Sequence, residues 1–139
     1  MSTKTILIEK FNMLPSDILN LIKEFIPKKM FVFTNRENYK LYHPLIQQSI
    51  KNYENYIRDT IRRDNEFVFN MIIRENILRW YEIKHYRYKN MMFNNYLYFT
   101  IQYCIENESN NCRNVIHNVL QELGLNKNLH KKNVVKYIR

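Results

Sequence analysis

Apolar residues recur along this chain mostly at steps of three and four, the period of helices with one covered face. Leu14-Pro15-Ser16-Asp17 opens the first run. Proline suits a first helical turn, and Asp17 complements the positive amino-terminal end of the helix dipole. Ile18, Leu21, Ile22, Phe25 and Ile26 share the face that follows, until Pro27 stops the helix. Thr34 with Glu37 reads as a capping box, opening a brief helix through Tyr42 that His43-Pro44 breaks. A longer helix is predicted to about Arg63 on the stripe Ile46, Ile50, Tyr53, Ile57, Ile61. Asp64 or Asn65 caps the next, where Phe69, Ile73, Ile77, Trp80 and Lys84 run along a face that ends or bends within 85–90. Met92, Tyr96, Phe99 and Tyr103 carry another helix, although a run as short as 96–99 also suits a strand. Beyond a polar loop at 106–111, Cys112, Val115, Ile116, Val119, Leu120 and Leu123 form the cleanest amphipathic segment, with Gly124 as its left-handed cap. Thr5 to Ile8 reads as a short extended lead.

No repeat and no linker interrupts these runs. The expectation is therefore an all-α fold, a single compact domain of about five to six helices. Within it lie a segment at 13–50, a helical body at 51–124 and a basic tail at 125–139. A chain of 139 residues buries roughly 68–70% of its unfolded surface, and 45% hydrophobic residues supply a core. Composition explains the missing punctuation: there is no alanine and one glycine, against 20 asparagines, 17 isoleucines, 13 lysines and 11 tyrosines. Those four residue types have AT-rich codons, which predicts an AT-biased gene and assigns part of the lysine charge to codon usage. The remaining charge matters, because a net +9 favours phosphate-rich partners.

Several chemistries are disfavoured. One glycine at a helix end leaves no phosphate-cradling loop. Cys104, Cys112, His117 and His130 are too widely spaced for an ordinary zinc site, and both cysteines fall on or beside apolar faces where buried thiols are common. Asp64 with Glu82 and Lys84 loosely matches the carboxylate–lysine order of metal-dependent nucleases, but Glu82 and Lys84 point apart on a helix. The expectation is no enzyme, no cofactor and no metal. Two cysteines make no disulfide framework, and Met1 to Lys10 lacks an apolar core of signal-peptide length. No run approaches a membrane span, so the chain is expected to be soluble and intracellular.

One stretch interleaves cations with rings, from Arg79 through Trp80, Tyr81, Lys84, Tyr86, Arg87 and Tyr88 to Lys89. Flat rings stack on unpaired bases while cations neutralise phosphates, so Arg58, Arg62, Arg63, Arg79, Lys84, Arg87, Lys89, Lys131 and Lys132 are candidate contacts to DNA or RNA. The competing expectation is that Trp80 and Tyr81 anchor the core while the cations snorkel to solvent.

The segment Leu14-Pro15-Ser16-Asp17-Ile18-Leu19-Asn20-Leu21-Ile22-Lys23-Glu24-Phe25-Ile26 resembles the opening of an F-box, which begins with Leu-Pro, an acidic residue and Ile before an apolar helix. The continuation from Phe31 to His43 resembles a variant found in proteins encoded by giant DNA viruses. The wider chain, including 104–110 and Leu123-Gly124-Leu125, is similar to uncharacterised proteins of those mimivirus-like viruses. The resemblance implies a small helical module that docks on the host Skp1 adaptor of ubiquitin ligases through Leu14, Pro15, Ile18, Ile22 and Phe25, leaving the rest to recruit a target. It thus implies a viral interaction protein of the host cytoplasm or nucleus. Two other roles stand beside it: a small basic nucleic-acid-binding protein and a minor virion component.

Overall fold

The computed structural model describes residues 9–10, 13–127, 129 and 134–138. The expected extended lead at 5–8 lies outside them. Where the sequence pattern offers no linker, packing divides the chain into two compact units, Met1–Lys51 and Asn52–Arg139.

In the first unit, α1 spans Ser16–Phe25 and ends with Ile26 extended before Pro27. A 3-10 turn at Lys28–Phe31 leads to α2, Arg36–Tyr42. The cap of α2 is Asn35, whose Oδ1 accepts the Asn38 N–H at 2.7 Å; Thr34 instead donates its hydroxyl to Phe31 O. A second 3-10 turn, His43–Leu45, runs into the four-residue α3, Ile46–Ser49. Val32, Tyr39 and Ile46 are the buried apolar residues of this unit among those described. Tyr39 stacks on His43 with ring centroids 6.1 Å apart.

The second unit begins at α4, Tyr53–Arg62, so the single helix expected to reach Arg63 is broken at Ile50 to Asn52. The break is a start signal: Asn52 Oδ1 accepts the Asn55 N–H at 3.0 Å. Next comes α5, Glu66–Glu82, capped by Asn65, and its side chains Phe69, Ile73, Ile77 and Trp80 are buried as their spacing predicts. Here the all-α expectation is corrected. The chain turns into β1, Lys84–Tyr88, and β2, Met91–Asn95, which pair antiparallel, and a two-residue β3, Lys136–Tyr137, pairs with β2. Lys84 therefore lies on a strand and not on the helix face, and so does Met92. The chain is mostly helical with one small three-stranded antiparallel sheet in the order β1-β2-β3.

The alternation Tyr86, Tyr88 and Met91, Phe93 turns one side of the hairpin inward, the period-two pattern of a half-covered strand. Asn95 ends β2 and at once caps α6, Tyr96–Glu106, by accepting the Tyr98 N–H at 2.9 Å. The last helix, α7, spans Asn110–Glu122. Gly124 follows it at φ 68°, with Leu125 N–H returning to Leu120 O at 2.8 Å, the left-handed cap that the sequence predicts. The α5, α6 and α7 helices pack on one another, and α6 also carries the hairpin. Phe99 is the centre of this core, its ring 4.8 Å from Tyr86, 4.9 Å from Tyr88, 5.5 Å from Phe93, 5.4 Å from Tyr96 and 5.5 Å from Tyr103.

Candidate functional site

Proline at position 15 sets an extended entry (ψ 145°), after which Ser16 to Phe25 wind as a helix with no buried residue. Its apolar residues divide into two sides. Leu19, Ile22 and Ile26 are half-buried, whereas Leu14, Ile18, Leu21 and Phe25 are 37%, 45%, 54% and 81% exposed. Steps of three and four place Ile18, Leu21 and Phe25 on one stripe of the helix, and Leu14 stands just ahead of its extended entry. Of the residues expected from the F-box likeness, Leu14, Pro15, Ile18 and Phe25 are exposed and Ile22 lies on the half-buried side. Leu21 joins the exposed stripe. Asp17 and Glu24 sit on the helix beside it, so its flank is acidic although the chain is basic. Elsewhere in the same unit, Lys23, Glu24, Ile26, Lys28, Phe31 and Tyr42 line a cleft of about 420 Å³ that presents both charges and two rings.

The basic candidates do not gather as one set. Arg58 lies 3.7 Å from Glu54, bonds Asn55 Oδ1, and places its guanidinium 5.6 Å from the Tyr88 ring centroid. Arg62 and Arg63 both pair with Asp59, at 3.5 and 3.1 Å, and Arg62 donates to Tyr103 Oη at 3.0 Å. Lys84 Nζ donates to Tyr81 O at 2.9 Å and sits over the Tyr81 ring. Arg79 is exposed near the end of α5, and Arg87 and Lys89 are exposed on the hairpin. Lys131 and Lys132 lie outside the described residues. The rings point the other way: Trp80 is buried and Tyr81, Tyr86 and Tyr88 are half-buried. Tyr86 donates to Glu54 Oε2 at 3.2 Å, and burial, reinforced by that carboxylate, pushes its phenol up to about 12. Trp80 is thus committed to the core, and Tyr86 and Tyr88 pack one side against Phe99.

Cys104 and Cys112 are buried free thiols, and burial pushes the first up to about 12. His130 lies outside the described residues, and among those described no three His, Cys, Asp or Glu side chains group as a metal site. Asp64 has a structural task. At φ 49° in the turn between α4 and α5, its carboxylate accepts the N–H of Cys112 at 2.9 Å and of Asn111 at 3.3 Å, capping α7 from 48 residues away. Burial pushes its carboxyl up, but those two N–H groups outweigh burial and hold it below its usual range. Ser109, the residue ahead of α7, spends its hydroxyl on Ile61 O instead.

Scans against family models, curated proteins and solved structures found no match to this chain. Among the described residues, no helix is long and apolar enough to cross a membrane.

Proposed function

We propose that the first unit is a docking module of F-box type, which lays the stripe Leu14, Ile18, Leu21, Phe25 into a groove of a Skp1-like adaptor and leaves the second unit to engage a target. One observation supports this reading: Ile18, Leu21 and Phe25 stand exposed on a helix that buries none of its own residues, with Leu14 exposed just ahead of it. A helix presenting apolar anchors at such spacing to a partner groove is a recurring recognition mode. Covering four large apolar side chains supplies the driving force, at roughly 25 cal/mol per Å² removed from water.

The test is co-purification of recombinant Skp1 with the full chain. Binding is expected for the natural sequence and lost in Leu21→Asp/Phe25→Asp, whose far-ultraviolet spectrum should be unchanged because both side chains already face water. Failure of Skp1 to co-purify with the natural sequence removes this reading.

A further inference from the structure

The pairing register of the sheet sorts its side chains in a way that helical spacing hid. Tyr86 is opposite Phe93 and Tyr88 opposite Met91, and these rings and Met91 turn toward α6. Arg87 is opposite Met92, and Met92 opposite Lys136, so these three form one row across three strands on the other face. Arg87 and Lys136 are exposed and Met92 is half-buried between them. Lys89, exposed in the turn that joins β1 to β2, adds a third cation at the rim of the sheet, its Nζ 5.4 Å from the Tyr88 ring centroid.

Four other arginines of the second unit are paired with carboxylates, Arg58 with Glu54, Arg62 and Arg63 with Asp59, and Arg74 with Glu122, whereas Arg79 and Arg113 are exposed away from this row. Neither Arg87 nor Lys136 has an ion-pair partner among the described residues. We infer that this open sheet face is a docking surface for the phosphate backbone of a nucleic-acid duplex. Adjacent strands lie about 4.8 Å apart, which sets the Arg87 and Lys136 backbones about 10 Å from each other with an apolar residue between. Long cationic arms on such a base reach separate phosphates, and Met92 lets them diverge without a competing acid. Tyr86 and Tyr88 of the hairpin turn inward, and the exposed Tyr137 of β3 lies opposite Met91, so the row Arg87, Met92, Lys136 itself offers no ring on which an unpaired base could stack. Its contacts go to phosphates, so the surface is indifferent to sequence and favours paired over unpaired strands.

Binding of the full chain to a mixed-sequence duplex of about 20 base pairs, followed by fluorescence anisotropy against salt, tests the inference. With Arg87, Lys89 and Lys136 each taking one phosphate, log affinity should fall against log salt with a slope of about −2.7. Arg87→Ala/Lys136→Ala should weaken binding about tenfold or more near 100 mM salt and flatten the slope by about 1.8. Lys28→Ala/Lys29→Ala removes the same charge from exposed positions of the first unit and should change little. Equal loss in both variants would overturn the proposal, since net charge alone would then explain binding. It is also overturned if no duplex binds at about 50 mM salt, if a single strand of the same length binds more tightly, or if only phosphatidylserine vesicles are bound. These outcomes are independent of whether Skp1 co-purifies, which reads the first unit alone.

Discussion

Phe25 in the first unit and Phe99 in the second are both helical phenylalanines in runs of similar apolar spacing, yet one is 81% exposed and the other 1%. The difference extends to their surroundings. In the first unit Val32, Tyr39 and Ile46 are buried, while Leu14, Ile18, Leu21, Phe25, Met30, Phe33 and Leu41 stand in water. In the second, helices from α4 to α7 and the hairpin close around a continuous aromatic and aliphatic core. Periodicity therefore reports that an apolar face exists, and only the supply of neighbouring faces decides whether the chain covers it. A face left over is the ordinary starting point of an interface. A ligand that covered this face in the folded form alone would add to the stability of the first unit by mass action.

The largest effect expected is at the centre of the covered core. Phe99→Ala removes a ring in contact with four tyrosine rings and a phenylalanine ring, and should cost about 3–5 kcal/mol. A loss of that size is a large share of the 5–15 kcal/mol typical of a domain. Phe25→Ala should leave stability within about 0.5 kcal/mol, since its side chain already faces water. Urea denaturation of the two variants checks the pair. Equal destabilisation would mean that the stripe of α1 is internal after all, and the contrast between the units would collapse.

How much of this was readable beforehand follows the same logic. The cores of α5 and α7 were visible because their apolar residues keep a helical period over several turns. The hairpin was not, because the usual turn punctuation is missing: its two-residue turn is Lys89-Asn90, with Lys89 at φ 54° where glycine is expected. The available signal was the alternation Tyr86, Tyr88 and Met91, Phe93, masked by interleaved cations that suited a helix face equally well. The break ahead of α4 was hidden because Ile46, Ile50, Tyr53 and Ile57 keep step across it, although Asn52 supplied the cap. Asparagine in fact starts α2, α4, α5 and α6, so the residue that composition assigns to codon bias is where the helices begin. At the candidate site, the likeness to an F-box pointed to α1, but spacing alone could not separate exposed Leu21 from half-buried Ile22. Exposure depends on which faces the rest of the unit can cover.

A smaller effect separates local from long-range capping. Asn35 serves α2 from its own turn, whereas Asp64 holds the start of α7 from across the second unit. Asp64→Asn keeps an acceptor and tolerates the left-handed backbone, so it removes the charge with little else, at a cost of about 1 kcal/mol. The folded-state carboxyl is held below its unfolded value, so its contribution is complete above about pH 4 and is lost as pH falls through the lower folded value. Denaturation measured down the acid range should therefore show the natural chain losing this increment and Asp64→Asn showing no such loss. Parallel curves would mean that the carboxylate does not hold α7.

An effect of similar size but opposite sign concerns a group the second unit buries at some cost. Tyr96 is 2% exposed, its ring packs 5.2 Å from Trp80 and 4.7 Å from Tyr86, and its hydroxyl has no hydrogen-bond partner among the described residues. A buried hydroxyl without a partner forfeits the bonds that water gave it, a penalty of about 1–3 kcal/mol. Tyr96→Phe keeps the ring and both edge-to-face contacts while deleting that group, so it should stabilise the second unit, by about 1 kcal/mol. The same exchange at Tyr86 should destabilise, because that phenol donates to Glu54 at 3.2 Å. Thermal melts of the two variants, read against the natural chain, give opposite shifts if the polar accounting of this core is right. If Tyr96→Phe melts lower, its hydroxyl has a hydrogen-bond partner in solution and carries no burial penalty.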